Sequence, residues 1–288
     1  GVYSLNYEQG RWHASLGGAI NRYSGRHFGN ILSIINPTVA NYPDKEYYRN
    51  KAVKSENSVY GKLNVDLLKG LSAYVDLQYR HIGYRIQDPD DEYSTAAKDG
   101  WLYDEKYDFF NPKTGLFYQF NPNHAVYTSL AISHREPTRN DFEGRPTPKP
   151  KAERMTDWEL GYKYESPTLS AGVNLYHMSY KDQFVLTGEI NAIGEMIHRN
   201  VGSSYRQGIE LQGAWKPLDW FRWDANATFS KNRAKDWTVK SDNGKAIQFG
   251  TTHLSFSPDV IFNNIFTFSY KGLEAGLQSQ YIGKQYMT

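Results

Sequence analysis

The sequence predicts an all-β fold, an antiparallel up-and-down transmembrane β-barrel, and three observations carry that prediction. Apolar and polar residues alternate with period two through many separate stretches, which is the pattern of strands with one apolar face. Short turn-forming connections alternate with long polar ones. The chain holds 23 Tyr, 14 Phe and 7 Trp yet is only 39% hydrophobic, a composition suited to strands that are apolar on one side alone.

The most informative stretch is 133–180, which reads as a long polar loop, an alternating strand, a tight turn and a second alternating strand. In its first strand Trp158, Leu160, Tyr162 and Tyr164 oppose Asp157, Glu159, Gly161 and Lys163. Upstream, Leu71, Ala73, Val75, Leu77 and Tyr79 share one face, with Ser72, Tyr74, Asp76, Gln78 and Arg80 on the other. Downstream, Tyr205, Ile209, Leu211 and Trp215 oppose Arg206, Glu210, Gln212 and Lys216, with Gln207 a polar intruder on the apolar side. Phe221, Trp223, Ala225, Ala227 and Phe229 oppose Arg222, Asp224, Asn226, Thr228 and Ser230. Val260, Phe262, Phe266, Phe268 and Tyr270 form a further face, interrupted by Asn264. A last strand sets Leu273, Ala275, Leu277 and Tyr281 against Glu274, Gln278, Gln280 and Lys284.

Connections give the second signal. Short turns fall at 9–10, 69–70, 121–124, 166–168, 216–219 and 271–272, each with Gly, Pro, Asn or Asp. Long polar segments lie between them at about 24–54, 87–111, 134–154, 181–203 and 234–253. Counting between connections gives about twelve strands, with short turns on the periplasmic side and long loops outside. Strands near 71–88 and 169–186 exceed the ~10 residues that cross a bilayer, so they are expected to project beyond it. A soluble β-sandwich or propeller also alternates, but packed interiors favour Ile and Val over the Trp, Tyr, Phe and Ala found here.

A formal charge of +2, with signs mixed, supplies no basic stripe for nucleic acid. The absence of cysteine excludes disulfides and thiolate metal sites. No apolar run approaches the ~18 residues of a membrane helix, which leaves spanning by a barrel open. The start at Gly1 reads as mid-strand and the end at Thr288 is abrupt, so a partial barrel spanning 1–288 of a longer protein is expected.

The eight His residues, His134, His177 and His198 among them, show no metal-site spacing, and neither a Gly-x-Ser-x-Gly elbow nor a phosphate loop is present. Asp88, Asp90, Asp91 and Glu92 lack the spacing of a calcium loop and read as a solvated external loop. No catalytic, metal or cofactor site is therefore expected, although a barrel enzyme built from lumen residues stays open as an alternative.

The strings REPTRNDF, AERMTDWELGYKY, LYHMSYKDQFVLTGEIN, RNVGSSYRQGIELQGAW, WFRWDANATFSKNR and QYIGKQYM occur in this order from residue 135 onward. Together they resemble the β-barrel of TonB-dependent outer-membrane receptors, especially those of Bacteroidetes-type bacteria, over most of the chain from about Trp101. The resemblance implies a 22-stranded barrel in the bacterial outer membrane, blocked by an N-terminal plug. It also implies uptake of a scarce small-molecule or metal-chelate ligand, a ferric chelate, haem or a cobalamin-like compound before glycan or peptide, driven by the TonB complex of the inner membrane. Membrane lipid, the plug and the remaining barrel strands are the implied partners. This sequence departs from the pattern in showing neither the plug nor the last strands. A soluble β-sheet binding or adhesion module is the alternative.

Candidate ligand contacts are loop aromatics and cations. Tyr42, Tyr47, Tyr48, Tyr93, Trp101, Tyr103 and Tyr107 could cover a ligand's apolar surface, or else pack loop on loop or join the interfacial girdle. Arg135, Arg139, Asn140 and Asp141 could meet an anionic ligand, with a loop-anchoring network the favoured reading. Asp76, Arg80, Arg206, Glu210, Arg222 and Asp224 are expected to face the lumen and either solvate it or hold the plug.

Overall fold

Period-two alternation becomes thirteen antiparallel strands in one continuous sheet, seen in a computed structural model that describes residues 1–32, 45–87, 100–142, 148–190, 196–240 and 246–287. They are β1 (Val2–Gln9), β2 (Trp12–Ile31), β3 (Lys45–Leu68), β4 (Leu71–Ile86), β5 (Tyr103–Asn121), β6 (His124–Arg135) and β7 (Glu153–Glu165). Then follow β8 (Leu169–Ile190), β9 (Met196–Leu218), β10 (Phe221–Lys240), β11 (Ala246–His253), β12 (Val260–Tyr270) and β13 (Leu273–Ile282). Each strand pairs with its chain neighbour, except that β10 is shared: β12 runs along Phe221–Phe229 and β11 along Arg233–Lys240. The through-path thus has twelve strands, the expected number, and β11 is an added branch on the outer half of β10. Among the described residues the sheet does not close, so β1 and β13 are its edges.

The two faces differ as a barrel wall requires. Val75, Leu77 and Tyr79 stand exposed on one face of β4, while Asp76, Gln78 and Arg80 between them are half-buried on the other. Following the register places Leu63, Leu160, Leu211, Phe262 and Leu277 on the outward face with Leu77, all exposed. A soluble sandwich would bury this face against a second sheet; here no second sheet covers it among the described residues, which suits a wall turned toward lipid. The two polar intruders are explained by their neighbours: Gln207 meets His177 Nδ1 at 3.0 Å across β8–β9, and Asn264 donates to Ser279 across β12–β13. Both of these outward polar groups are satisfied within the sheet, as an apolar surround demands.

Tyrosine finds a second use on the inner face. Tyr60, Tyr74, Tyr127 and Tyr176 lie directly across the ladder from Gly17, Gly115, Gly161 and Gly208. In each case a Cβ on the glycine would collide with the tyrosine ring, so the ring lies flat over bare backbone. Such aromatic cover over strand glycines restores packing that glycine alone would lose. At the short-turn end of the sheet, Lys271 and Gly272 both take positive φ, 45° and 82°, matching the twist of the two-residue turn between β12 and β13.

One expectation is corrected. Where they are described, the segments 24–54, 181–203 and 234–253 are almost entirely strand, and so is 103–111 within 87–111, because β2, β3, β5, β8, β9, β10 and β11 run on beyond the apolar band. Once the outward face leaves lipid it need not be apolar, so alternation fades although pairing continues.

Candidate ligand-facing vestibule

The buried apolar residues gather at the outer end of the sheet, where a segment between β6 and β7 folds onto the inner face. Its docking begins at Glu136, whose carboxylate is bonded by Lys54 of β3 and lies 3.6 Å from Arg80 of β4. Pro137 is fully buried, and Asp141 Oδ2 accepts from the Thr138 amide at 2.7 Å and its hydroxyl at 2.8 Å. That local cap shapes the 3-10 helix Arg139–Phe142 and delivers Phe142 into a cluster with Ala52, Tyr84 and Ile86. Phe142 is fully buried, its ring 4.5 Å from that of Tyr103.

Burial alone would raise the pKa of the Glu136 carboxyl. The hydrogen bond from Lys54, a backbone hydrogen bond and the charges of Lys54 and Arg80 outweigh it, holding the group below the usual carboxylate range. Asp259, between β11 and β12, is also held low, chiefly by hydrogen bonding from Arg233, whose guanidinium grips both its oxygens at 3.0 and 2.9 Å.

The sequence-derived candidates divide accordingly. Arg135 reaches Glu153 at 3.1 Å and lies over the Phe184 ring, and Arg139 donates to Asn50 at 3.3 Å and to Asn140 at 3.2 Å. Tyr103 is not in a loop but opens β5 on the inner face, against Phe142; Tyr107 also lies in β5, stacked on Phe109, and its buried hydroxyl has no partner among the described residues. Trp101 is exposed, with Arg85 over its ring at 4.8 Å. Tyr42, Tyr93, Asp88, Asp90, Asp91 and Glu92 lie outside the described residues; Tyr47 and Tyr48 belong to β3, with side chains outside them.

Register puts Asp76, Arg80, Arg206, Glu210, Arg222 and Asp224 on the inner face. They are paired there: Asp76 with Lys62 at 3.5 Å, Arg80 with Glu56 at 2.7 Å, Arg206 with Ser257 at 2.9 Å and Glu210 with Asn174 at 3.4 Å. Arg222 and Asp224 form a two-bond fork at 2.7 and 2.6 Å.

Sequence reasoning missed a cavity of about 470 Å³ lined by Val185, Trp237, Phe249, His253, Leu254 and Tyr286. The His253 and Tyr286 rings lie 4.5 Å apart on its wall. Its volume is in the range of small-ligand sites, and its lining is mostly apolar with few polar atoms. No local motif announces it, since four separate parts of the chain build it. Among the described residues no cluster of metal-ligating side chains occurs.

The model of the TonB dependent receptor-like β-barrel matches residues 1–288, the whole sequence. The chain belongs to the TonB-dependent receptor β-barrel family. That family is one of receptors, not enzymes. Solved structures of similar fold include the ferric-catecholate import receptor Fiu of E. coli, with a TM-score of 0.66 at 14% identity over 99% of this chain and 44% of that one. The copper transporter OprC gives a TM-score of 0.71 at 14% identity, covering 96% of this chain and 41% of that one. The ferric yersiniabactin uptake receptor FyuA of Yersinia pestis gives 0.63 at 14% identity, covering 97% and 41%. The chain therefore spans less than half the length of these receptors. No curated protein matches the sequence.

Proposed function

We propose that this chain is the wall of an outer-membrane receptor that captures a metal chelate, a ferric siderophore first, and imports it with energy supplied through TonB. The observation that carries the reading is the family match along all 288 residues, joined to a sheet with a lipid-compatible outer face and a polar inner face. Solved neighbours described as a ferric-catecholate import receptor, a ferric yersiniabactin uptake receptor and a copper transporter support a metal-bearing ligand. Capture at the outer end would use the cavity beside Trp237, His253 and Tyr286, where aromatic rings desolvate a ligand while their polar atoms orient it. A plug belonging to the longer protein would meet the inner-face charges, among which Asp157 keeps a carboxylate oxygen without a partner.

Growth on single iron sources tests this. A strain carrying the full receptor should grow on at least one ferric siderophore under iron limitation, and deletion of the receptor or of TonB should abolish that growth. Unchanged growth on every ferric chelate, haem and cobalamin would contradict the reading. Recovery of the folded protein from the soluble fraction without detergent would replace it with a soluble binding module.

A further inference from the structure

The backbone bends at two places to build the cavity beside Trp237. The β10–β11 register breaks on both sides of Trp237, and its partner Gly250 takes φ 67°, the form of a bulge that re-aims its neighbours. Phe249, the residue before that glycine, lines the cavity yet keeps 55% of its surface exposed, which puts its ring at the mouth. On the other wall Phe256 takes φ 50°, a conformation that a bulky residue rarely adopts, and its amide donates to the Tyr286 carbonyl at 2.8 Å. That bond holds the Tyr286 ring against His253. Val201, Ala234 and Leu254 are buried together beneath, with Val185 and Trp237 packed on them, so the floor is preformed. Backbone strain of this kind persists only where its surroundings enforce it, and it gathers at ligand clamps.

The chemistry of the lining selects what can enter. Among the described residues it contains no Asp, Glu, Lys or Arg, so a carboxylate placed there would lose its hydration and gain no counter-charge. It offers instead the rings of Trp237, Phe249, His253 and Tyr286, with the hydroxyls of Thr252 and Ser255 beside them. Aromatic faces of this kind prefer another ring, offset or edge-on. The volume of about 470 Å³ is roughly three times the ~150 Å³ that admits one benzene, so an aryl group and part of its linker fit. A charge stands just outside: Lys284 is exposed, lies 4.8 Å over the Tyr286 ring and makes no ion pair among the described residues.

We infer that this cavity seats an aryl arm of the imported iron chelate, a phenolate or catecholate ring, with Lys284 facing the anionic iron centre. A ring whose oxygens are bound to iron keeps its charge at the metal, so only its apolar face needs to enter. The inference rests on the receptor reading and narrows its ligand to aryl-bearing chelates, against those built from carboxylates or hydroxamates alone.

The experiment uses the full receptor purified from outer membranes and the radioiron complexes of a tris-catechol, a trihydroxamate and citrate. Wild type should bind the tris-catecholate complex and, at the same concentration, neither of the others. Phe249→Ala removes a ring that is already half exposed, so it should leave the urea midpoint unchanged and weaken tris-catecholate binding about ten-fold. Lys284→Gln should weaken that binding several-fold and flatten its salt dependence. Preference for the trihydroxamate or citrate complex, or unchanged tris-catecholate affinity in both variants, would overturn the inference and leave the receptor reading standing. Binding of none of the complexes would also overturn it, and growth on single iron sources then decides the receptor reading separately.

Discussion

Gly161 shows how much a single residue can decide in this sheet. Its partner Tyr127 covers it from β6 and donates to Asn174 of β8 at 3.1 Å, so the ring ties three strands together across one glycine. Gly161→Val would force the ring off the sheet and break that hydrogen bond, an overpacking cost of roughly 1–3 kcal/mol. A lower urea midpoint for Gly161→Val than for Gly213→Val, whose added Cβ meets only ordinary contact, checks this. The alternation that places Gly161 on the polar face, opposite Trp158 and Leu160, was legible in the sequence. Its pairing with Tyr127 was not, because register depends on where each strand begins, and composition is silent on that.

At the scale of elements, the segment between β6 and β7 had been read as a charged outer loop, with its anchoring role favoured over ligand contact. The contacts of Arg135 and Arg139 with Glu153, Asn50 and Asn140 give that anchoring its geometry. The depth to which Phe142 is buried was not legible, since a lone aromatic in a polar stretch carries no period. Folding lowers the Glu136 pKa, so the docking it supports is complete above the ordinary carboxylate pKa of ~4.3 and is lost as pH falls through the lower folded value. Protection factors at Ile86 and Phe142, taken relative to intrinsic exchange at each pH, should therefore be high at neutral pH and fall in acid. Glu136→Gln should exchange faster at neutral pH and lose most of that acid dependence; an unchanged acid profile would assign the effect to another group. The long-loop reading is corrected at 103–111 for a related reason: past the apolar band neither face of β5 has to be apolar, so Asp104 and Lys106 look like loop residues while still paired with β4.

For the whole molecule, twelve strands in the through-path and alternating connection lengths were readable because a membrane wall imposes one rule on every strand. The cavity beside Trp237 was not, because it is assembled from β8, β10, β11 with the residues that follow it, and Tyr286 after β13, which meet only in the folded sheet. The central claim is that one face of this sheet contacts lipid and the other an aqueous lumen, and β4 tests it most directly. These 288 residues hold no cysteine, so single cysteines placed at positions 75 to 80 of the full receptor in outer membranes, in a background with any other cysteine replaced by serine, report on β4 alone. A lipid-soluble quencher should reach labels at Val75→Cys, Leu77→Cys and Tyr79→Cys. A water-soluble reagent should reach Asp76→Cys, Gln78→Cys and Arg80→Cys. Uniform labelling by the water-soluble reagent at all six positions, or the opposite alternation, would contradict the barrel wall.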